Sequence, residues 1–250
     1  MQITATNVEK RYGDVTALAG LSLSIPSGST YGILGTNGAG KTTLFKLLVG
    51  HDTPDSGQLS VGGHPVSTAG YRIREQVGYL PEHVGFPGRL TGREILHFHA
   101  EMRGLPADNR IQQTADTVGL ADAIDRAVSG YSNGMRRRLG LATVLLAEPS
   151  VLILDEPTAG LDPCGVREFH TLIEAIQDDT DATVVVCSHV LPDVEQLCDR
   201  AAVLHDGQIL ASGSISTLVS ELGTSDPNQG LETVFHTAVS DARSAQEVAE

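Results

Sequence analysis

The stretch YGILGTNGAGKTTLFKLL, residues 31–48, runs from a short apolar segment through a glycine-rich loop into an apolar-periodic one. No other feature constrains the fold as tightly. Gly35, Gly38 and Gly40 have no Cβ to obstruct positive φ angles, so the loop can curl around an anion with its N–H groups pointing inward. The spacing G-x-x-x-x-G-K-T is met by Gly35, Gly40, Lys41 and Thr42, with Thr36, Asn37, Ala39 and Thr43 completing the cradle. In such a loop Lys41 would reach the β- and γ-phosphates of a nucleotide and Thr42 would offer its hydroxyl to Mg²⁺. The N-terminus of the following helix would add its positive dipole end. The apolar YGIL reads as a buried strand, so strand, loop and helix stand in the order this chemistry requires.

The flanking residues predict an α/β fold. Residues 3–34 alternate around turns at Tyr12–Asp14 and Pro26–Ser29, and QLSVGGHPV carries a Gly62–Gly63 pair suited to a hairpin. Together they predict an antiparallel β layer beside the phosphate-binding core. From about residue 83 to 145 the pattern turns helical. Thr91-x-x-Glu94 is a capping box ahead of ILHFHAEM, Gly104 and Pro106 end that helix, IQQTADTVGL carries a second, and a third starts near Asn133. VLILDEP and ATVVVCSH flank a helix around residues 166–176, the β-α-β alternation of a parallel sheet, and AAVLHDGQILASG reads as a strand pair turning at Asp206–Gly207. The expected organisation is one domain over residues 1–222 with a helical subdomain at about 83–145. A C-terminal tail, 223–250, follows, in which TSDPNQG is a linker, LETVFHTAV a short docking helix and the acidic end frayed.

VLILDEP places an unbroken apolar run before Asp155 and Glu156, as in a central parallel strand whose carboxyl end opens on a ligand crevice. There Asp155 would help hold Mg²⁺ and Glu156 would polarise a water for in-line attack on phosphorus. The formal charge of −14, from 31 acidic against 17 basic side chains with lysine only at positions 10, 41 and 46, disfavours a nucleic-acid or anionic-lipid surface. So lysine-poor a surface fits either a concentrated-salt host or drift in an arginine-rich genome. Cys164, Cys187 and Cys198 show no C-x-x-C spacing and read as free thiols. The longest apolar run, Leu139–Ala147, falls short of the roughly 18 residues of a membrane span, and MQITATNVEK lacks the apolar core of a signal peptide, so a soluble, cytoplasmic chain is expected. Arg136, Arg137 and Arg138 would point in different directions on a helix and read as a solvated face. His97 and His99 do not share a helix face and are not read as metal ligands.

In this order the segments resemble the nucleotide-binding subunit of an ABC transporter over nearly the whole chain. Lys41 with Thr42 falls in the Walker A loop, and Asp155 with Glu156 closes Walker B. Tyr12 falls at the aromatic position that stacks on adenine, and Glu82 in GYLPE at the Q-loop position. YSNGM, 131–135, resembles the signature, GLDP, 160–163, the D-loop, and His189 the switch histidine. The resemblance implies a P-loop NTPase with a RecA-like parallel-sheet core, and ATP with Mg²⁺ held by Thr42, Asp155 and Glu82. It also implies hydrolysis served by Glu156, His189 and Glu82, and Ser132, Gly134 and Asp162 acting on the nucleotide of an opposite subunit in a homodimer or heterodimer. Separate integral membrane subunits would dock on the helical subdomain, with the chain peripheral on the inner face of the cell membrane.

GYLPEHVGFPGRLTGREIL and YSNGMRRRLGLA look most like exporter-type members, including drug exporters, and are similar also to the ATPases of copper-site maturation in nitrous oxide reductase. Two positions depart from the family pattern: Glu82 replaces glutamine and loses an amide donor, and Asn133 stands where glycine is usual, asparagine being tolerant of left-handed backbone. Two alternatives compete. A soluble ABC ATPase of translation or DNA repair usually has two cassettes or a coiled-coil insertion, and this chain has one cassette and no heptad run. A P-loop GTPase needs N-K-x-D, and none of the three lysines follows an asparagine. No nucleic-acid partner is expected.

Overall fold

Two sheets share the chain, which passes back and forth between them. The structure is a computed structural model and describes residues 1–106, 108–222 and 230–247. Strands β1 (Ile3–Tyr12) and β2 (Val15–Ile25) form a long hairpin. β3 (Thr30–Leu34) crosses to the second sheet and runs through the glycine loop into α1 (Lys41–Leu48), and β4 (Ser56–Val61) and β5 (His64–Pro65) return to the first. α2 (Val66–Gln76) leads to β6 (Val77–Leu80). The helices α3 (Gly92–Met102), α4 (Asp108–Thr117) and α5 (Asn133–Leu145) follow, with short 3₁₀ turns at 121–123 and 128–130. The chain continues with β7 (Val151–Asp155), α6 (Pro163–Asp179), β8 (Thr183–Cys187), α7 (Leu191–Leu197), β9 (Arg200–His205), β10 (Gln208–Ser214), α8 (Ile215–Leu222) and α9 (Leu231–Glu247).

The antiparallel sheet has the order β2-β1-β4-β5, and the larger sheet the order β10-β9-β3-β8-β7-β6, parallel throughout except for β10. Its strands bury both faces. Leu34, Leu152, Leu154, Val184 and Val186 pack into one core with α5 to α9, while Ile33, Val151, Ile153, Val185 and Cys187 pack into another with α1 and the antiparallel sheet. Neighbouring residues on a strand point to opposite faces, so a strand buried on both sides needs an unbroken apolar run, and VLIL and TVVVC are such runs. Each fully buried aliphatic side chain contributes about 1.5–3 kcal/mol of transfer free energy.

The capping box forms as the sequence indicates: Thr91 Oγ1 accepts from the Glu94 N–H at 3.1 Å and Glu94 Oε2 from the Thr91 N–H at 2.8 Å. α2 was not foreseen, because it buries only Val66 and Ile73 and bends at Ala69 (φ −120°), a stripe too sparse for a periodic signal. α9 runs well past LETVFHTAV, and its first N–H donates to Glu195 of α7. Apart from Gly230, the expected linker TSDPNQG lies outside the described residues, as does the end of the chain at 248–250. Among the described residues no helix is long and apolar enough to cross a membrane.

Candidate functional site

Strands β3, β8 and β7 are parallel neighbours, so the segments leaving their carboxyl ends emerge side by side: the loop 35–40, Ser188–His189 and Asp155–Glu156. In the loop Gly40 has φ +107°, and a Cβ there would stand 2.6 Å from the Ala17 carbonyl oxygen, so only glycine fits. Thr36, Asn37 and Gly38 are exposed at its rim, Ala39 is buried beneath, and Thr42 and Thr43 open α1 with the Thr42 side exposed. The Lys41 ammonium lies back across the loop, donating to the Gly35 carbonyl at 2.6 Å and the Thr36 carbonyl at 3.1 Å. Tyr12, at the end of β1, stands beside α1 with Lys46 Nζ 6.0 Å from its ring centre and Lys10 Nζ at 5.4 Å. Its hydroxyl donates to Asp52 Oδ2 at 2.7 Å, and Lys10 ties Asp52 (2.9 Å), Asp55 (3.2 Å) and the Thr53 carbonyl (2.8 Å) into the same cluster. Sequence reasoning missed this cluster because Asp52, which ties it together, lies 40 residues from Tyr12 and 42 from Lys10.

The two acids have different surroundings. Asp155 Oδ2 accepts from the Tyr79 hydroxyl at 2.8 Å, and burial together with this carboxylate pushes the Tyr79 pKa well up, so the phenol stays a donor. Tyr79 was not foreseen, since a tyrosine in a short apolar strand reads as core. Glu156 is buried and has φ +45°, a left-handed backbone that costs of order 1–3 kcal/mol in a non-glycine residue. Its carboxylate turns onto the switch segment: Oε2 lies 2.8 Å from His189 Nδ1, Oε1 accepts from the His189 N–H at 3.0 Å, and Ser188 Oγ donates to Oε2 at 3.3 Å. Glu82, by contrast, is exposed, and its carboxylate faces His83 at 3.8 Å. Cys187 lies beneath both acids, its thiol pushed strongly up by burial and by Asp155.

Ser132, Gly134 and Asp162 belong to a separate hollow of about 510 Å³ lined also by Asn133, Arg138 and Cys164. Ser132 caps α5, accepting from the Met135 N–H at 3.2 Å, and Asp162 Oδ1 caps α6, accepting from Cys164 (3.0 Å) and Gly165 (2.8 Å). None of these bonds reaches the Lys41 loop. Asn133 is the first residue of α5 and has no left-handed backbone, so the reason considered for its tolerance there does not apply. The expected solvated face of Arg136–Arg138 is corrected at its centre. Arg136 bonds Asn133 and Arg138 pairs with Glu168, but Arg137 is only 5 % exposed and donates to the carbonyls of Pro81, Glu82, Asp155, Glu156 and Pro157. It shares one helix stripe with the buried Leu141 and Val144, the signal that its charge concealed.

The family profile described as ABC transporter matches residues 18–159, more than half of the chain. The bacitracin transport ATP-binding protein BcrA of Bacillus licheniformis is 38% identical over 208 residues, spanning 83% of this chain and 68% of its own. The daunorubicin resistance ATP-binding protein DrrA3 of Streptomyces coeruleorubidus is 40% identical over 224 residues, spanning 88% and 71%. Among solved structures, cbiO1 from Clostridium perfringens, part of the ABC transporter complex cbiONQ, superposes with a TM-score of 0.80 at 31% identity over 88% of this chain and 91% of that one. An ATP-binding subunit of an ABC transporter, at 23% identity, has the same fold with a TM-score of 0.82 over 96% and 100%. The chain belongs to the ABC transporter family and is one of its ATP-binding, ATP-hydrolysing subunits.

Proposed function

We propose that this subunit is the motor cassette of an exporter, binding Mg-ATP between two cassettes and driving separate integral membrane subunits from the cytoplasmic face of the membrane. One observation carries the reading: a single chain presents two unlike half-sites, a phosphate loop with acids on the sheet edge and a capped hollow with Ser132, Gly134 and Asp162 in and beside the helical lobe. A two-fold axis placing the hollow of one copy over the loop of the other completes both sites at once, with nucleotide as the glue.

Within the half-sites the roles follow from chemistry. Tyr12 offers its face to adenine. The 35–43 backbone surrounds the phosphates, and Lys41 exchanges its two carbonyl partners for anionic phosphate oxygens, the stronger acceptors. The donors suit Mg²⁺: the Thr42 hydroxyl and the Asp155 carboxylate offer hard oxygen atoms, and phosphate and water would complete the shell. Glu82 is exposed and would contribute only by turning inward. When bound, Mg²⁺ neutralises charge building on the phosphates. Glu156 orients the attacking water and takes up its proton as the water oxygen bonds the γ-phosphorus and the bridge to the β-phosphate breaks. His189, already against Glu156, is placed to sense the γ-phosphate. Loss of that phosphate removes the glue and lets the cassettes part.

The relatives named above for bacitracin transport and daunorubicin resistance support export as the direction. The test is light scattering of Glu156→Gln with and without Mg-ATP. A monomer that becomes a dimer with ATP, and fails to when Ser132→Arg is added, supports the shared site. A monomer that binds ATP without associating overturns the two-cassette arrangement.

A further inference from the structure

Hydrolysis as proposed requires the signature end of α5, the Glu82 segment and the Glu156 carboxylate to keep one relative placement, and one side chain joins all three. We infer that Arg137 is a positioning residue: its guanidinium locks the start of α5 to the carboxyl ends of β6 and β7 and holds Glu156 in the conformation that aims its carboxylate at the switch segment. The inference rests on the role given above to Glu156.

The guanidinium has five N–H groups, and each has a partner. Nε donates to the Pro157 carbonyl (2.8 Å), Nη1 to Pro81 (2.5 Å) and Glu82 (2.8 Å), and Nη2 to Asp155 (2.7 Å) and Glu156 (2.9 Å). No carboxylate is among these partners, so this is not a salt bridge that another ion pair could replace. The need for it arises in the backbone. β6 and β7 pair up to Leu80 and Leu154, and just beyond come Pro81 and, on the other strand, Pro157, which have no N–H with which to continue a ladder. Of the carbonyls gathered at this junction, that of Glu156 also accepts from the Ala159 N–H at 3.2 Å, and the others turn to Arg137. Arg137 supplies the donors, and the carbonyl dipoles supply the charge stabilisation. Burial lowers its pKa to about 10, countered by Asp155, Glu82, Tyr79 and Glu156, so it remains a cation at neutral pH.

The most consequential of the five bonds is to Glu156. Its left-handed backbone is strained and is pinned at both ends, its N–H by the Cys187 carbonyl (2.8 Å) and its carbonyl by Arg137 and the Ala159 N–H (3.2 Å). Arg137 lies five residues after Ser132, the cap of α5, so a shift of that helix is carried to the Glu156 main chain. The requirement is for a cation with a planar fork, which lysine does not provide.

The test measures ATP affinity, KM and kcat for the purified full chain carrying Arg137→Lys or Arg137→Ala. The expected result is a cooperatively melting protein with ATP affinity and KM within about twofold of the wild type and kcat lower by about 10–100-fold, the cost of a displacement near 1 Å. Guanidinium ion at tens of millimolar raises the kcat of Arg137→Ala several-fold, and ammonium at the same concentration does not. If Arg137→Ala does not fold, Arg137→Lys carries the test. Unchanged kcat in a folded variant overturns the inference, as does a fall in kcat matched by an equal fall in ATP affinity or folded fraction. An active wild type beside equally active variants overturns this role alone, whereas a wild type that binds ATP without hydrolysing it overturns the role of Glu156 and this one with it.

Discussion

The two halves of the proposed nucleotide site, one on the sheet edge and one in the hollow in and beside the helical lobe, are specified by different means. On the edge, shape is imposed by the chain itself: Gly40 is left-handed and its missing Cβ is what lets the Ala17 carbonyl pack against it. In the hollow, Asn133 and Gly134 occupy the first turn of an ordinary right-handed helix, and a Cβ on Gly134 would meet nothing nearer than Ser132 Oγ at 3.8 Å. One half answers to its own backbone, and the other to whatever is laid over it. Asparagine at 133 is therefore compatible with this fold, and any demand for glycine there comes from across an interface.

The largest expected effect lies in the edge half. Glu156→Gln removes the proton acceptor and leaves the loop untouched, so steady-state hydrolysis falls by about 10²–10⁴-fold while calorimetry finds ATP affinity retained. Matched losses of hydrolysis and binding would mean that Glu156 shapes the pocket rather than serving the water, and would move it to the structural side of the comparison.

Two alanine substitutions then sharpen the contrast. Gly40→Ala forces a Cβ into left-handed backbone against a carbonyl oxygen and is expected to cost at least about 2 kcal/mol, a fall in Tm of roughly 4–8 °C for a chain of this size, with ATP binding lost. Gly134→Ala is expected to change stability by no more than about 0.5 kcal/mol and to leave ATP binding by the monomer intact, while weakening ATP-dependent association. Equal Tm losses, read by scanning calorimetry, would erase the distinction between the halves.

Tyr12→Ala tests the outer wall of the edge half. Loss of stacking is expected to weaken ATP by about 1–3 kcal/mol, roughly 5- to 150-fold. Since Asp52 and Lys10 brace the ring, Asp52→Ala should weaken ATP in the same direction by less. An unchanged dissociation constant for Tyr12→Ala, by fluorescence titration, would place adenine elsewhere.

The same contrast explains what was legible in the sequence. The edge half could be read residue by residue, because glycine spacing and unbroken apolar runs are the direct imprint of backbone sterics and two-sided burial. The hollow could be read only through family resemblance, since nothing about a serine at a helix start or an aspartate before a proline announces a ligand. Arg137 escaped because a charge reads as solvent-facing. The pattern that places it indoors is its spacing to Leu141 and Val144, and that pattern is convincing only once five carbonyls are seen converging on it. Tyr79 and Asp52 act across the fold, on partners 76 and 40 residues away, where local pattern carries no information.

The smallest expected effect lies at the seam. His170 of α6 and Asp193 of α7 are buried, with Nε2 and Oδ1 3.3 Å apart, too poorly aligned for a hydrogen bond but close enough for an ion pair, and the Thr158 hydroxyl donates to Asp193. α6 begins after GLDP beside the hollow and α7 shortly after His189 on the edge, so this pair fastens the two halves of one chain. The Asp193 carboxylate raises the His170 pKa above the usual 6.5, outweighing burial. Burial pushes Asp193 up, but His170 and Thr158 more than offset it and hold the carboxyl below the usual 3.8. The raised histidine contributes stability that is complete below about pH 6.5 and is lost as pH rises through its folded value. The depressed aspartate contributes stability that is complete above about pH 3.8 and is lost as pH falls through its own. The pair is therefore worth most in mildly acidic solution and fades on the alkaline side. His170→Gln should melt below the wild type near pH 6, with the gap narrowing towards pH 8.5; other histidines titrate in both proteins and cancel in the difference. A gap independent of pH would mean that His170 is neutral throughout and that packing alone joins the two halves.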